Sequence, residues 1–212
     1  MSFYLVVDFE TTGVGKDATK RYKSYSYSRM PLPRANYPVQ LVAELLDASY
    51  SVLQSKQMLI RGCERLDPWV LENCPHLSVK DCDRDGVTFE DAIKTLADMV
   101  GDKKCTMVAH NIQYDWKDVM LRTARELNLE DSSNFRKLAS LPQYCTCVNE
   151  VTKREGTAYY FSKLGKWIGP KLSNMAEKYG VEYDENAAHD AAYDVRVTSP
   201  CVARLKKWDL FC

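Results

Sequence analysis

Asp8 and Glu10 stand two residues apart where a short apolar run ends, in Asp8-Phe9-Glu10-Thr11-Thr12-Gly13. Side chains alternate along a strand, so both carboxylates face the same way, roughly 7 Å apart at the backbone. Like charges so placed repel unless a cation lies between them, and hard oxygen donors of this kind suit Mg²⁺ or Mn²⁺. The Thr11-Thr12-Gly13 turn adds hydroxyls and backbone N–H groups near that cation, where a phosphate or sugar can approach. Taken alone, a D-x-E pair is far more often a solvated strand end. Two other segments change the balance. Val108-Ala109-His110-Asn111 leaves a second apolar run, and Asp115 opens the helix behind it, although an acid in a first helical turn also serves as a dipole partner. His189 precedes Asp194 by five positions in His189-Asp190-Ala191-Ala192-Tyr193-Asp194, with two alanines between them that allow close packing.

The hydrophobic pattern outlines the elements that must hold these residues. Phe3 to Val7 reads as a buried strand ending at Asp8. Val39 to Leu46 and Val52 to Ile60 read as two more, separated by the polar turn Asp47 to Ser51. Phe89, Ala92, Ile93, Leu96 and Val100 fall at helical spacing, with Thr88 as cap and Gly101 as stop. Cys105 to Ala109 is a fourth strand. After Asp115, a helix with Trp116, Val119, Met120, Thr123, Ala124 and Leu127 as its inner stripe follows. Leu172, Met175, Ala176 and Tyr179 mark another helix, ended by Gly180. A last helix runs from about Ala188, and Pro200 is expected to kink or break it. Strands first, then helices alternating with strands, predict an α/β fold with a mixed sheet covered by helices.

Composition bounds the function. The 212 residues carry 29 Lys plus Arg against 29 Asp plus Glu, so the chain is no globally basic nucleic-acid wrapper, although a local basic groove is compatible with it. The start lacks the pattern of a secretory signal, and no apolar run approaches the ~18–20 residues of a membrane span. A soluble, intracellular protein of one domain, without membrane partners, is the expectation. The eight cysteines read as mostly buried free thiols. Cys74, His76 and Cys82, or the pair Cys145 and Cys147, are the nearest approach to a zinc site, and neither has the repeated C-x₂₋₄-C spacing.

Taken together, DFETTG, VAHNIQYD and HDAAYD resemble, in order, the three motifs of the DEDD superfamily of 3′–5′ exonucleases, over residues 3 to about 205. The five-residue step from His189 to Asp194 is similar to the histidine branch, DEDDh, which includes RNase T-like and proofreading exonucleases. Asp190 stands where the other branch has tyrosine. The resemblance implies an RNase H-like mixed five-stranded sheet flanked by helices, residues 1–212 as a single exonuclease domain, and Asp8, Glu10, Asp115, His189 and Asp194 as the catalytic set. It implies two Mg²⁺ or Mn²⁺ ions about 3.5–4 Å apart. Asp8 would bridge them, Glu10 and Asp194 would complete one shell, Asp115 would serve the other, and His189 would act as general base. Thr11, Thr12, Gly13 and Asn111 are the residues expected to hold the terminal nucleotide.

The implied substrate is single-stranded or 3′-ended DNA or RNA, cut to nucleoside 5′-monophosphates. Between Val14 and Pro38 lie Lys16, Lys20, Arg21, Lys23, Arg29 and Arg34, against Asp17 alone, interleaved with Tyr22, Tyr25, Tyr27 and Tyr37. Such a loop suits a single-strand path, with phosphates neutralised and bases stacked. A second mixed stretch runs from Lys153 to Lys171, with Lys153, Arg154, Lys163 and Lys166 beside Tyr159, Tyr160, Phe161 and Trp167; core packing explains its aromatics at least as well. The rival reading is a nucleic-acid-binding or polymerase-associated module with incidental nuclease activity. Proofreading members of the family work inside complexes, so a polymerase or repair complex is among the implied partners.

Overall fold

The structure, a computed structural model, describes residues 2–13 and 36–209, with side chains as far as Lys206. Its centre is a five-stranded mixed sheet in the order β3-β2-β1-β4-β5. Strand β1 (Phe3–Thr11) pairs antiparallel with β2 (Pro38–Leu46), which pairs antiparallel with β3 (Val52–Leu59). On its other side β1 pairs in parallel with β4 (Cys105–Ala109), and β4 with the short β5 (Gln143–Cys145). β2 is buried along its whole length, whereas β3 is an exposed edge whose Gln54-Ser55-Lys56-Gln57 keeps it polar.

One face of the sheet carries the larger core. Leu5, Val7 and Phe9 of β1, Leu41 and Leu45 of β2 and Met107 of β4 pack there against Phe89, Ile93 and Leu96. Those three belong to a helix, Phe89–Val100, capped as expected: Thr88 Oγ1 accepts the Asp91 N–H at 3.1 Å, and Gly101 ends the helix with φ 54°. Two short helices, α1 (Pro68–Asn73) and α2 (Val79–Asp85), precede it, so it is α3; α4 (Arg122–Glu126) and α5 (Ser133–Ala139) follow β4. The opposite face, with Val6, Val42, Leu46 and Val108, is covered by Ala191, Val195 and Val202 of the C-terminal helix Ala191–Asp209. Between β5 and that helix come α6 (Glu150–Arg154), a two-stranded hairpin of β6 (Tyr159–Phe161) and β7 (Lys166–Ile168), and α7 (Leu172–Tyr179), which makes the C-terminal helix α8.

Several expectations are corrected. β1 runs through Asp8 to Thr11, because β2 continues to pair with it, with an irregularity in register between Glu10 and Thr11. The segment after Asn111 is not one regular α-helix: Ile112 and Gln113 are α-helical, Tyr114–Leu121 forms a π-helix, with hydrogen bonds closing one residue later, and α4 then takes over. Trp116, Val119, Met120, Thr123 and Ala124 are buried as the stripe predicts, but Leu127 lies beyond the helix and is exposed. α8 begins at Ala191 rather than Ala188, since His189 adopts φ 64° and Asp190 caps the helix. Pro200 does not break it. Val195 and Val202 packed on the sheet, with Cys201 and Leu205 packed on α7, hold the turns on both sides of the proline.

The aromatics of 153–171 are not core. Tyr159, Tyr160, Phe161 and Trp167 are exposed on the β6–β7 hairpin. Of the expected basic and aromatic loop, Lys16, Asp17, Lys20, Arg21, Tyr22, Lys23, Tyr25, Tyr27, Arg29 and Arg34 lie outside the described residues. Tyr37 lies inside them and is buried, its hydroxyl donating to Arg61 O at 2.9 Å, so it is not open to a base. No described helix is long and apolar enough to cross a membrane.

Candidate active site

Alternation along β1 decides which face each residue serves. With Leu5, Val7 and Phe9 in the larger core, Val6, Asp8 and Glu10 look towards α8. α8 brings Asp194 to meet them in its first turn. There the Asp190 carboxylate accepts the Ala192 N–H at 3.0 Å and its carbonyl accepts the Asp194 N–H at 2.9 Å. One oxygen from each of Asp8, Glu10 and Asp194 lies within 4.8 Å of the other two, the arrangement the sequence led us to expect of three of the four acids. Asp115 stands in the first turn of the π-helix, bonded to the Phe9 backbone, and is 2% exposed. It lies outside the 4.8 Å group, although its charge acts on Asp8.

The electrostatics follow from this crowding. Burial raises the Asp8 carboxyl well above the usual carboxylate range, and the charges of Asp115, Glu10, Asp194 and Asp190 raise it further. Glu10 is pushed up to about 8, by burial first and then by Asp194, Asp190 and Asp115, offset in part by the Cys74 thiol, whose Sγ donates to Glu10 Oε2 at 3.9 Å. Asp115 also rises to about 8 through burial, against the pull of its own N–H and that of Phe9. Asp194 rises to about 6 through burial, against a backbone hydrogen bond from His189. Asp194 Oδ1 is moreover buried with no hydrogen-bond partner. An orphaned carboxylate oxygen facing two further acids is costly by itself and is what a divalent cation relieves. The donor set fits the expected metal.

His189 stands on the left-handed turn before α8, exposed, with burial of part of its ring holding it below the ordinary histidine value. The Trp69 ring at the start of α1 meets it edge-on, with centroids 5.0 Å apart. Thr11, Thr12 and Gly13 are placed differently from Asn111. The Thr11 hydroxyl shares a 3.0 Å bond with the Tyr114 hydroxyl, which itself donates to Asn36 Oδ1 at 3.3 Å, while the Thr12 hydroxyl accepts the Tyr37 N–H at 3.2 Å. Both threonines are buried and tie the end of β1 to the π-helix and to the start of β2. Gly13 has φ 87°, and a Cβ there would stand 2.7 Å from Asp67 Cβ. Asn111, with φ 75°, is the exposed member of the four.

Sequence reasoning missed Trp69, Tyr114, Cys74 and Gln40, the last donating to Asp190 Oδ1 at 3.4 Å. All four arrive through long-range contacts that no local spacing announces. Asp190 caps α8, a role hidden in the sequence because the helical pattern reads from about Ala188. The cysteines point elsewhere: Cys74 to Glu10, Cys82 to Val39 O at 3.7 Å, Cys145 and Cys147 to each other, while His76 Nε2 lies 3.9 Å from Asp190 Oδ1. Among the described residues the cluster with ligating geometry is the acidic one.

No protein-family model matches the sequence, and no curated protein matches it either. Solved structures do match its fold. Escherichia coli exonuclease I in complex with a dT13 oligonucleotide is 17% identical at a TM-score of 0.66, over 100% of this chain and 43% of that one. The zinc-bound form of the E. coli exonuclease I–ssDNA complex is 16% identical at 0.66, over 98% and 41%. A 3′-exonuclease that recognises the histone mRNA stem-loop at its 3′ end is 16% identical at 0.58, over 97% and 81%. The chain thus has the RNase H-like mixed sheet of these nucleases and spans less than half the length of the exonuclease I chains.

Proposed function

We propose that the chain is a divalent-cation-dependent 3′–5′ exonuclease of the histidine branch, residues 1–212 forming one nuclease domain that removes nucleoside 5′-monophosphates from the 3′ end of DNA or RNA. The observation that carries this reading is the acid cluster: Asp8, Glu10 and Asp194 within 4.8 Å, with one Asp194 oxygen unpartnered, on a fold shared with 3′-exonucleases. A module that only bound nucleic acid would have no use for converging carboxylates that repel the phosphates of its ligand. The single-stranded DNA and stem-loop RNA of the similar structures fit the same reading.

Asp8, Glu10 and Asp194 would hold one cation, and Asp115, whose charge acts on Asp8, would hold the second with it. Bound there, the two ions supply the positive charge that stabilises an in-line displacement at phosphorus. His189 takes the proton of the attacking water. Its depressed pKa keeps a large neutral fraction near pH 7, and the edge of Trp69 orients the ring. Asn111, exposed two positions beyond β4, holds the terminal nucleotide, while Thr11, Thr12 and Gly13 fix the turn that leaves β1.

Digestion of a 3′-labelled and a 5′-labelled single strand, with chromatographic identification of the products, tests the reaction. Nucleoside 5′-monophosphate from the 3′-terminal position should appear first, and its release should be lost in Asp115→Asn. Internal cuts, or nucleoside 3′-monophosphate as product, would contradict the reading.

A further inference from the structure

Five of the ten exposed large hydrophobic side chains among the described residues fall within positions 159–167: Tyr159, Tyr160, Phe161, Leu164 and Trp167. They sit on the β6–β7 hairpin, which is separate from the main sheet. Two strands of three residues are marginal in water without something to pack on. The base of this hairpin is nonetheless fixed to the main sheet. Pro170 O lies 3.1 Å from His110 Nε2 and 3.5 Å from Cys147 Sγ, and Gly169 lies so close to Cys147 that a Cβ would come within 2.2 Å of its sulfur. His110 follows β4 directly, two positions beyond Val108, which pairs with Val6; Asp8 is two positions beyond Val6 on the neighbouring strand. His110 also meets the Thr146 hydroxyl at 3.0 Å, just past β5, so the hairpin is fastened where β4 and β5 end, at the same end of the sheet as Asp8 and with β4 between them.

Its chemistry is uniform. From Gly156 to Ala176 the chain has Lys163, Lys166 and Lys171 and no acidic residue. Lys163 and Lys166 are exposed among the rings, and Tyr160 pairs edge-on with Trp167 across the strands at 5.8 Å. Lys153 lies 5.3 Å from the Trp167 ring centroid. Rings that accept stacked bases, interleaved with cations that neutralise phosphates, make a surface for single-stranded nucleic acid. A second copy of this chain would bring like charge against like charge.

We propose that the β6–β7 hairpin is a stacking platform for the nucleotides upstream of the 3′ end, which makes a single strand several nucleotides long the preferred substrate; this rests on the exonuclease reading above. The test uses the full chain, a trinucleotide and a labelled dodecamer, and two variants: Tyr160→Ser/Trp167→Ser, which removes the rings, and Lys163→Glu/Lys166→Glu, which leaves them. Fluorescence anisotropy with chelator present reads binding, and cleavage with Mn²⁺ reads turnover. Both variants should weaken dodecamer binding by about 10–100-fold and lower its kcat/KM in step, leaving the trinucleotide rate unchanged. The lysine variant should also reduce the slope of log Kd against log salt by at least about 1.4. Unchanged dodecamer affinity and rate in both variants would overturn the platform while leaving the nuclease standing. A wild-type protein that binds the dodecamer through the hairpin but shortens neither substrate would overturn the nuclease and keep the surface. Sedimentation showing a dimer that both variants abolish, with oligonucleotide affinity unchanged, would assign the rings to a second copy and overturn the proposal.

Discussion

In the absence of a cation, burial and mutual repulsion push Glu10 up to about 8 and burial pushes Asp115 up to about 8, while burial and the charges of Asp115, Glu10, Asp194 and Asp190 raise Asp8 well above the usual carboxylate range. A carboxyl raised in the folded state binds its proton more tightly there than in the unfolded chain, so its stabilising effect is complete below the unfolded value near 4 and is lost as pH rises through the folded value. Removing one acid should therefore help the cation-free fold at high pH: Asp8→Asn should raise the chelated protein's Tm at pH 8.5 by about 3–6 °C while abolishing turnover. A Tm equal to or below wild type would contradict the crowding. Protons and cations compete for the same oxygens, so the acidic limb of the pH–rate profile should move to lower pH as Mn²⁺ is raised. At saturating Mn²⁺ the remaining limb belongs to His189, whose neutral form persists below the ordinary value of 6.5 because burial lowers it. His189→Ala should cut kcat by ~10²–10⁴-fold and flatten that limb. Loss of rate with the limb intact would leave the histidine without a proton to move.

The elements explain which parts of this were readable. Asp8 and Glu10 share a face because a strand alternates, and the residue order from Phe3 to Glu10 is enough to show that alternation. The helix 89–100 was equally plain, with its stripe, its Thr88 cap and its Gly101 stop. The π-turn at Tyr114–Leu121 was not, since Trp116, Val119 and Met120 satisfy an α-helical stripe as well as they satisfy the wider helix. Pro200 misled because proline reports a local cost, whereas α8 is held on both sides by packing against the sheet and α7. Core packing accounted for the hairpin rings at least as well as a nucleic-acid path did, because composition does not say which side of a surface an aromatic occupies. Gly13 is a test at this scale. With φ 87° and a missing Cβ 2.7 Å from Asp67, Gly13→Ala should destabilise the protein by roughly 1–3 kcal/mol, read as a lowered midpoint in urea. An unchanged midpoint would show that the turn leaving β1 is not held against α1.

Across the whole molecule, the five acids and the histidine of the site region come from three separated stretches, and only the sheet order β2-β1-β4 with α8 across one face brings them together. The order of motifs in the sequence pointed to Asp8, Glu10, Asp115, His189 and Asp194; Asp190 as a neighbour of the cluster, and the contacts of Trp69 with His189 and Cys74 with Glu10, needed the fold. If the cluster is a cation site, occupying it removes the repulsion built into the fold. Mg²⁺ or Mn²⁺ at about a hundred times its Kd should stabilise the protein by about 2.7 kcal/mol, a Tm rise of roughly 5–10 °C. The rise should be present at pH 8, shrink towards pH 5 as the acids hold their protons, and be absent in Asp194→Ala. Equal shifts in wild type and variant would place the cation elsewhere.

Whether the acid cluster is a nuclease centre is decided by a gel assay on 5′-labelled single-stranded DNA and RNA, with Mn²⁺ or Mg²⁺, a chelator control and Asp8→Ala alongside. A ladder that shortens from the 3′ end with the metal present, and none with chelator or in the variant, is the predicted result. Intact strands in every wild-type lane, or a ladder that survives Asp8→Ala, would contradict it.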